Sequence, residues 1–104
     1  MNALEAKKAE NIVLMDLRGI AHFTDYFVLC CGTSDRMLRG ILKAANDAMH
    51  EKFDIKGKIE GIPSNGWITV DFNFFVLHIF SPEQRKFYDL EELWAEGKIL
   101  LHVQ

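Results

Sequence analysis

Residues Gly66–Trp94 read GWITVDFNFFVLHIFSPEQRKFYDLEELW, and the segments around them make sense as their supports. Trp67–Phe72 and Phe74–Phe80 are rich in β-branched and aromatic residues. They nearly meet at Asn73, which tolerates the left-handed backbone of a tight turn, so the two runs form a β-hairpin. With Phe72 and Asn73 as turn residues, Asp71 stands opposite Phe74 and Trp67 opposite His78. Ile68, Val70, Phe75, Leu77 and Ile79 then share one apolar face. Trp67, Thr69, Asp71, Phe74, Val76, His78 and Phe80 share the other, and that mixed face admits two arrangements: an aromatic, partly polar protein-binding patch, or a face covered by a further helical layer with His78 hydrogen-bonded inside.

Beyond the hairpin, Ser81 caps a helical turn with Pro82 at its first position and Glu83 in its first turn, and Arg85, Lys86, Phe87 and Tyr88 emerge beside the mixed face. A second short helix over Asp89–Glu96, capped by Asp89, carries Leu90, Leu93 and Trp94 and stops at Gly97. The apolar tail ILLHVQ packs against the body.

Before the hairpin, Pro63-Ser64-Asn65-Gly66 is a turn, and Lys58–Ile62, broken by Gly61, is an edge strand. Asp35–Lys52 is a helix whose Leu38, Ile41, Leu42, Ala45, Ala48 and Met49 form one stripe at three- and four-residue steps, capped by Thr33 or Ser34. Tyr26–Cys31 is apolar throughout, as a central strand covered on both faces must be. Ile12–Leu17 is a second buried strand, and residues 2–10 form a short helix anchored by Leu4 alone. The order predicts an α/β (α+β) domain spanning residues 1–104, with a five-stranded mixed sheet flanked by helices.

A chain of 104 residues with 49% hydrophobic and 26% charged residues has an ordinary globular composition. No apolar run approaches the roughly 20 residues of a membrane span and no signal peptide is visible, which points to cytoplasm or an organelle matrix. The net charge of −3 and isoelectric point near 5.7 leave no basic footprint for a phosphate backbone, so direct nucleic-acid specificity is not expected. An acidic protein can instead dock on a basic protein component of a ribonucleoprotein.

Cys30 and Cys31 are adjacent in a strand, point to opposite faces and read as reduced packing residues. Cys-Gly-Thr-Ser-Asp (31–35) could hold a phosphate at a helix N-terminus, as in a nucleotidyltransferase, but Asp71 has Thr69 and Asn73 where a paired metal site needs a second carboxylate. His78 with Asp71, or His22 with Asp25, lacks a nucleophile placed in sequence. The four histidines lie far apart, so no metal, no cofactor and no catalytic residue is assigned.

Taken together, VLMDLRG, TDYFVLCCGTSDR, GWITVDF and VLHIFSPEQRKFYDLEELW closely resemble the ribosomal silencing factor family (RsfS, Iojap) over about residues 6–94. The resemblance implies a nucleotidyltransferase-like fold without the catalytic carboxylates. It also implies a non-enzymatic protein that binds the fourteenth protein of the large ribosomal subunit, blocks joining of the small subunit, and represses translation or assists large-subunit assembly. Gly66, Trp67, Asp71 and Phe72 match one family segment, His78 and Phe80 a second, and Glu83, Arg85, Tyr88, Asp89 and Leu90 a third that Trp94 closes. The implied partner-binding set is Trp67, Asp71, His78, Phe80, Arg85, Tyr88, Asp89 and Leu90, with the rings and Leu90 as an apolar centre and Arg85 and Asp89 orienting it. The chain departs from the family at the turn, where Asn73-Phe74 replaces a Gly-Asp pair and an exposed Phe74 could serve self-association. Two rival readings remain: nucleotide binding through Thr33, Ser34 and Asp71, and a homodimer through the mixed face.

Overall fold

Two strands that are apolar on both sides, Tyr26–Cys31 (β2) and Phe75–Phe80 (β5), lie side by side in parallel at the centre of a sheet in the computed structural model, which describes residues 2–103. The complete element order is α1 Asn2–Ala6, β1 Glu10–Asp16, β2, α2 Asp35–Phe53, β3 Lys58–Glu60, a 3₁₀ turn Pro63–Asn65, β4 Trp67–Asp71, β5, α3 Pro82–Tyr88, α4 Leu90–Leu93 and β6 Lys98–Val103. The sheet runs β3-β4-β5-β2-β1-β6, and every pairing except β2 with β5 is antiparallel.

The sheet therefore has six strands, not five. The sixth comes from the tail, which pairs Ile12 with Val103 and Leu14 with Leu101 and so covers the edge that β1 would otherwise leave open. Gln104, the last residue of that tail, lies outside the described residues. The first helix is shorter than its helix-forming composition suggests: Lys8 turns left-handed at φ 59° and β1 begins at Glu10.

The long helix starts and stops as its ends dictate. Ser34 Oγ accepts the Met37 N–H at 3.1 Å, and the chain leaves α2 through a left-handed Asp54. Its stripe buries Leu38, Ile41 and Ala45 against Val28, Cys30, Ile68, Val70, Leu77 and Ile79. A second core fills the opposite face of the sheet, where Val13, Met15, Phe27, Leu29, Cys31 and Phe80 meet Leu90 of α4. Cys30 and Cys31 serve these two cores separately as free, buried thiols, and burial pushes Cys30 up to about 12.

The hairpin forms with a register two residues from the expected one. Trp67 pairs with Phe80, Thr69 with His78 and Asp71 with Val76, so Asn73 and Phe74 make the turn. Burial of Phe72 explains the choice. As a ladder residue its ring is 1% exposed and stacks on Phe75 at 4.9 Å, whereas a turn position would have left it in water. Asn73 takes φ 81°, and the Asp71 carboxylate accepts its N–H at 2.8 Å. Because strand side chains alternate with period 2, a two-residue shift leaves both faces as assigned, except that Phe74 leaves the mixed face for the turn.

Gly66 joins the 3₁₀ turn to β4 at φ 75°, and a Cβ there would meet Ser81 Oγ at 2.6 Å and Gln84 Cγ at 2.8 Å. Its carbonyl accepts the Ser81 N–H at 2.9 Å, so the same residue fixes where α3 departs. Replacing Gly66 with Ala is expected to cost about 2 kcal/mol through left-handed strain and this clash, read as a lower denaturation midpoint with an unchanged denaturant slope.

Candidate ribosome-contact site

The mixed face of the hairpin is arranged in two depths. Deepest are His78, Phe80 and Leu90, at 6%, 1% and 7% exposure. Above them Trp67 is half-buried: its ring stacks on Phe80 at 5.2 Å and meets Tyr88 at 4.3 Å. Outermost are Tyr88, Phe87 and Leu93, at 44%, 78% and 70% exposure, with Phe87 and Tyr88 edge to face at 5.1 Å.

A hydrogen bond sets the orientation of the indole. Trp67 Nε1–H donates to His78 Nδ1 at 3.2 Å, which places the imidazole proton on Nε2. Nε2 is buried and has no hydrogen-bond partner among the described residues, and the ring meets Phe27 edge to face at 4.5 Å. Burial pushes the His78 pKa down to about 4, so the ring is neutral at pH 7. Phe27, Trp67, His78, Leu90 and Trp94 line a shallow cleft of about 290 Å³ on this face.

Of the eight residues expected to contact a partner, four face outward. Trp67, Tyr88 and Asp89 are brought together around the α3–α4 corner, and Asp71 is exposed at the far end of β4, where it serves the turn. The other four are internal. His78, Phe80 and Leu90 form the floor: the first two lie in β5, a strand covered on both sides, and Leu90 packs in from α4.

Arg85 also turns inward. Its side chain is 11% exposed, and Nε and Nη2 each donate to Glu91 at 3.2 Å while Nη1 donates to the Asn11 carbonyl and contacts Cys31 Sγ at 3.4 Å. Burial works against the guanidinium charge, but the Glu91 and Cys31 contacts outweigh it and hold the pKa above its ordinary value. Arg85 is an internal clasp, and the sequence offered no way to see partners so distant along the chain.

Asp89 does not cap α4 with its side chain. It turns the corner instead, in the left-handed region at φ 45° and ψ 58°. The helix expected over Asp89–Glu96 is a single turn, Leu90–Leu93, which buries Leu90 and leaves Leu93 exposed. Between Glu83 and Glu96 the exposed charges are Glu83, Asp89, Glu92 and Glu96 against Lys86 alone. Phe74 lies elsewhere, on the α2 side, in an apolar groove of about 330 Å³ with Tyr26, Phe53, Phe72 and Phe75.

The phosphate-site candidate is occupied by its own structure. Ser34 and Ser81 both use Oγ as helix caps, and Asp35 and Glu83 line the same polar cleft, where their charge opposes an anion. Among the described residues no three histidine, cysteine or acidic side chains come together in a way that could hold a metal ion. Among the described residues no helix is long and apolar enough to cross a membrane.

The family model described as ribosomal silencing factor during starvation matches residues 1–103. The chain belongs to the ribosomal silencing factor family. The silencing factor of Bacillus subtilis strain 168 is 34% identical over 97 residues, which cover 93% of this chain and 82% of that protein. A mouse protein named for mitochondrial assembly of the ribosomal large subunit is 34% identical, with 91% of this chain matching 43% of its length. A solved protein from Chromobacterium violaceum superposes with TM-score 0.85 at 26% identity, over 90% of this chain and 78% of that one. One from Bacillus halodurans gives 0.78 at 30% identity, over 99% and 90%.

His78 supplies a test of the floor. Between about pH 6.5 and 4 the unfolded chain binds a proton that the folded chain refuses, so stability falls as pH falls across that window. Comparing wild type with His78→Gln by chemical denaturation should remove about 3 kcal/mol of that pH dependence, with little difference between them in slope above pH 7.

Proposed function

We propose that the chain docks on the large ribosomal subunit through the subunit's fourteenth protein and, by occupying that surface, keeps the small subunit from joining, so that translation is repressed; the same contact serves late assembly of the large subunit. One observation carries the reading. Half-buried Trp67 and exposed Tyr88 and Phe87 form a contiguous aromatic cluster beside buried His78 and Phe80, with exposed Asp89 and Glu92 next along the chain. Rigid aromatic anchors with an acidic rim suit a basic protein surface, and ribosomal proteins that lie on RNA are basic. The same acidic rim repels RNA itself.

No turnover is needed for this mechanism: it works by excluded space. The family match places the chain among ribosomal silencing factors, and the names of its relatives speak of silencing and of large-subunit assembly. A nucleotidyltransferase-like activity has less support, since Ser34 of the candidate phosphate corner is engaged as a helix cap and Asp71 serves the hairpin turn. Self-association of the free protein through the Trp67 and Tyr88 cluster would compete with docking, because both would bury the same rings. In this reading residues 1–104 act as one domain in the bacterial cytoplasm or an organelle matrix.

Trp67→Ala and Tyr88→Ala are each expected to weaken large-subunit binding by about 2 kcal/mol or more with the circular dichroism spectrum retained. Co-sedimentation with purified large subunits at wild-type strength by both variants rejects the contact surface. Asp89→Lys and Glu92→Lys should slow association and flatten its salt dependence.

A further inference from the structure

Tyr88 and Asp89 sit on a corner that its own helices cannot hold. Helix α3 has seven residues and α4 four, both shorter than the roughly 12 residues at which an isolated helix becomes even marginal in water. The chain turns between them at a left-handed non-glycine residue, Asp89, whose N–H donates to the Arg85 carbonyl at 3.0 Å. A side-chain contact across the corner must fix that geometry.

The Arg85 side chain is placed to do so. It spans the corner from the last turn of α3 and takes both carboxylate oxygens of Glu91 in the first turn of α4. Its remaining nitrogen reaches the sheet at the Asn11 carbonyl and Cys31. Asn11 has φ 49° and lies where the β1–β2 register shifts. A bulge there frees a carbonyl from the ladder to accept the guanidinium. Residues 86–90 are thereby closed at both ends, with Leu90 driven into the core and Phe87, Tyr88 and Asp89 left facing out.

We propose that Arg85 is a positioning residue for ribosome contact: it does not meet the partner, but with Glu91 it locks the α3–α4 corner so that Tyr88 and Asp89 stand ready beside Trp67 before docking. The inference rests on the contact surface proposed above. A corner released from the clasp samples other shapes, and affinity falls in proportion to the fraction still competent. Lysine cannot replace the clasp, since a single ammonium cannot reproduce the fork that grips both oxygens of Glu91.

The test uses the full chain with Arg85→Lys and Glu91→Ala, read by amide hydrogen exchange and by affinity for purified large subunits. Expected are faster exchange confined to residues 85–94, an affinity loss of about tenfold or more in each variant, and no further loss in the double variant, because both changes break one contact. The Arg85 side chain is only 11% exposed and its nitrogens are taken up by Glu91, Asn11 and Cys31, so a lost affinity reads the clasp and not a removed partner contact. Should Arg85→Lys fail to fold, Glu91→Ala at its partly exposed site carries the test alone.

Unchanged exchange at 85–94, or faster exchange with wild-type affinity, overturns the proposal. Tyr88→Ala separates two kinds of failure. Wild-type affinity in Tyr88→Ala sinks the contact surface and the clasp's purpose with it. Lost affinity in Tyr88→Ala beside wild-type affinity in both clasp variants sinks the clasp alone.

Discussion

Strands β2 and β5 are apolar on both sides, and they can exist in water only if both faces of the sheet centre are covered. Helix α2 covers one face with a long, well-capped stripe. The other face receives the short α3–α4 corner, with Leu90 and Trp94 reaching inward, beside Leu17, Ala21 and Phe23 of the β1–β2 connection. A cover this small cannot also hide its own outer side, and the rings it leaves in water are those at the candidate site. The surface proposed for docking is thus the outside of the second core's lid.

Floor and surface are one packed unit. Phe80 and His78 are buried, Trp67 is held between them and Tyr88 by stacking and a single N–H···N bond, and Arg85 ties the lid to the sheet. Such an arrangement limits the freedom that the exposed rings would lose on binding, which is how aromatic anchors gain affinity beyond their area. It also explains why the residues matching the family's segments play two roles. Tyr88 and Asp89 are exposed with half-buried Trp67 beside them, while His78, Phe80, Arg85 and Leu90 pack beneath.

Much of this was legible in the chain. Tyr26–Cys31 and the ends of α2 carry local signals: an unbroken apolar run, a serine before the helix and a stripe of constant step. The alternation of the hairpin gave the correct faces even with the register two residues off, since a period of 2 is indifferent to that error. What was lost is non-local. The tail ILLHVQ has no turn signal or alternation to mark it as a strand, and becomes one only because β1 offers an edge. Arg85 looks like a surface cation until its partners are known, and the nearest of these to the N-terminus, Asn11, is 74 residues away. The depth of Phe80, His78 and Leu90 likewise depends on how the lid packs.

The proposed function is steric: a folded wedge, presenting Trp67 and Tyr88, would occupy the large subunit where the small one must approach. The direct measurement is subunit joining, followed by sucrose-gradient sedimentation of separated subunits mixed with increasing amounts of the purified protein. The account predicts that the complete-ribosome peak shrinks as the protein is added, with the protein migrating on the large subunit. Complete ribosomes forming undiminished at saturating protein would contradict it.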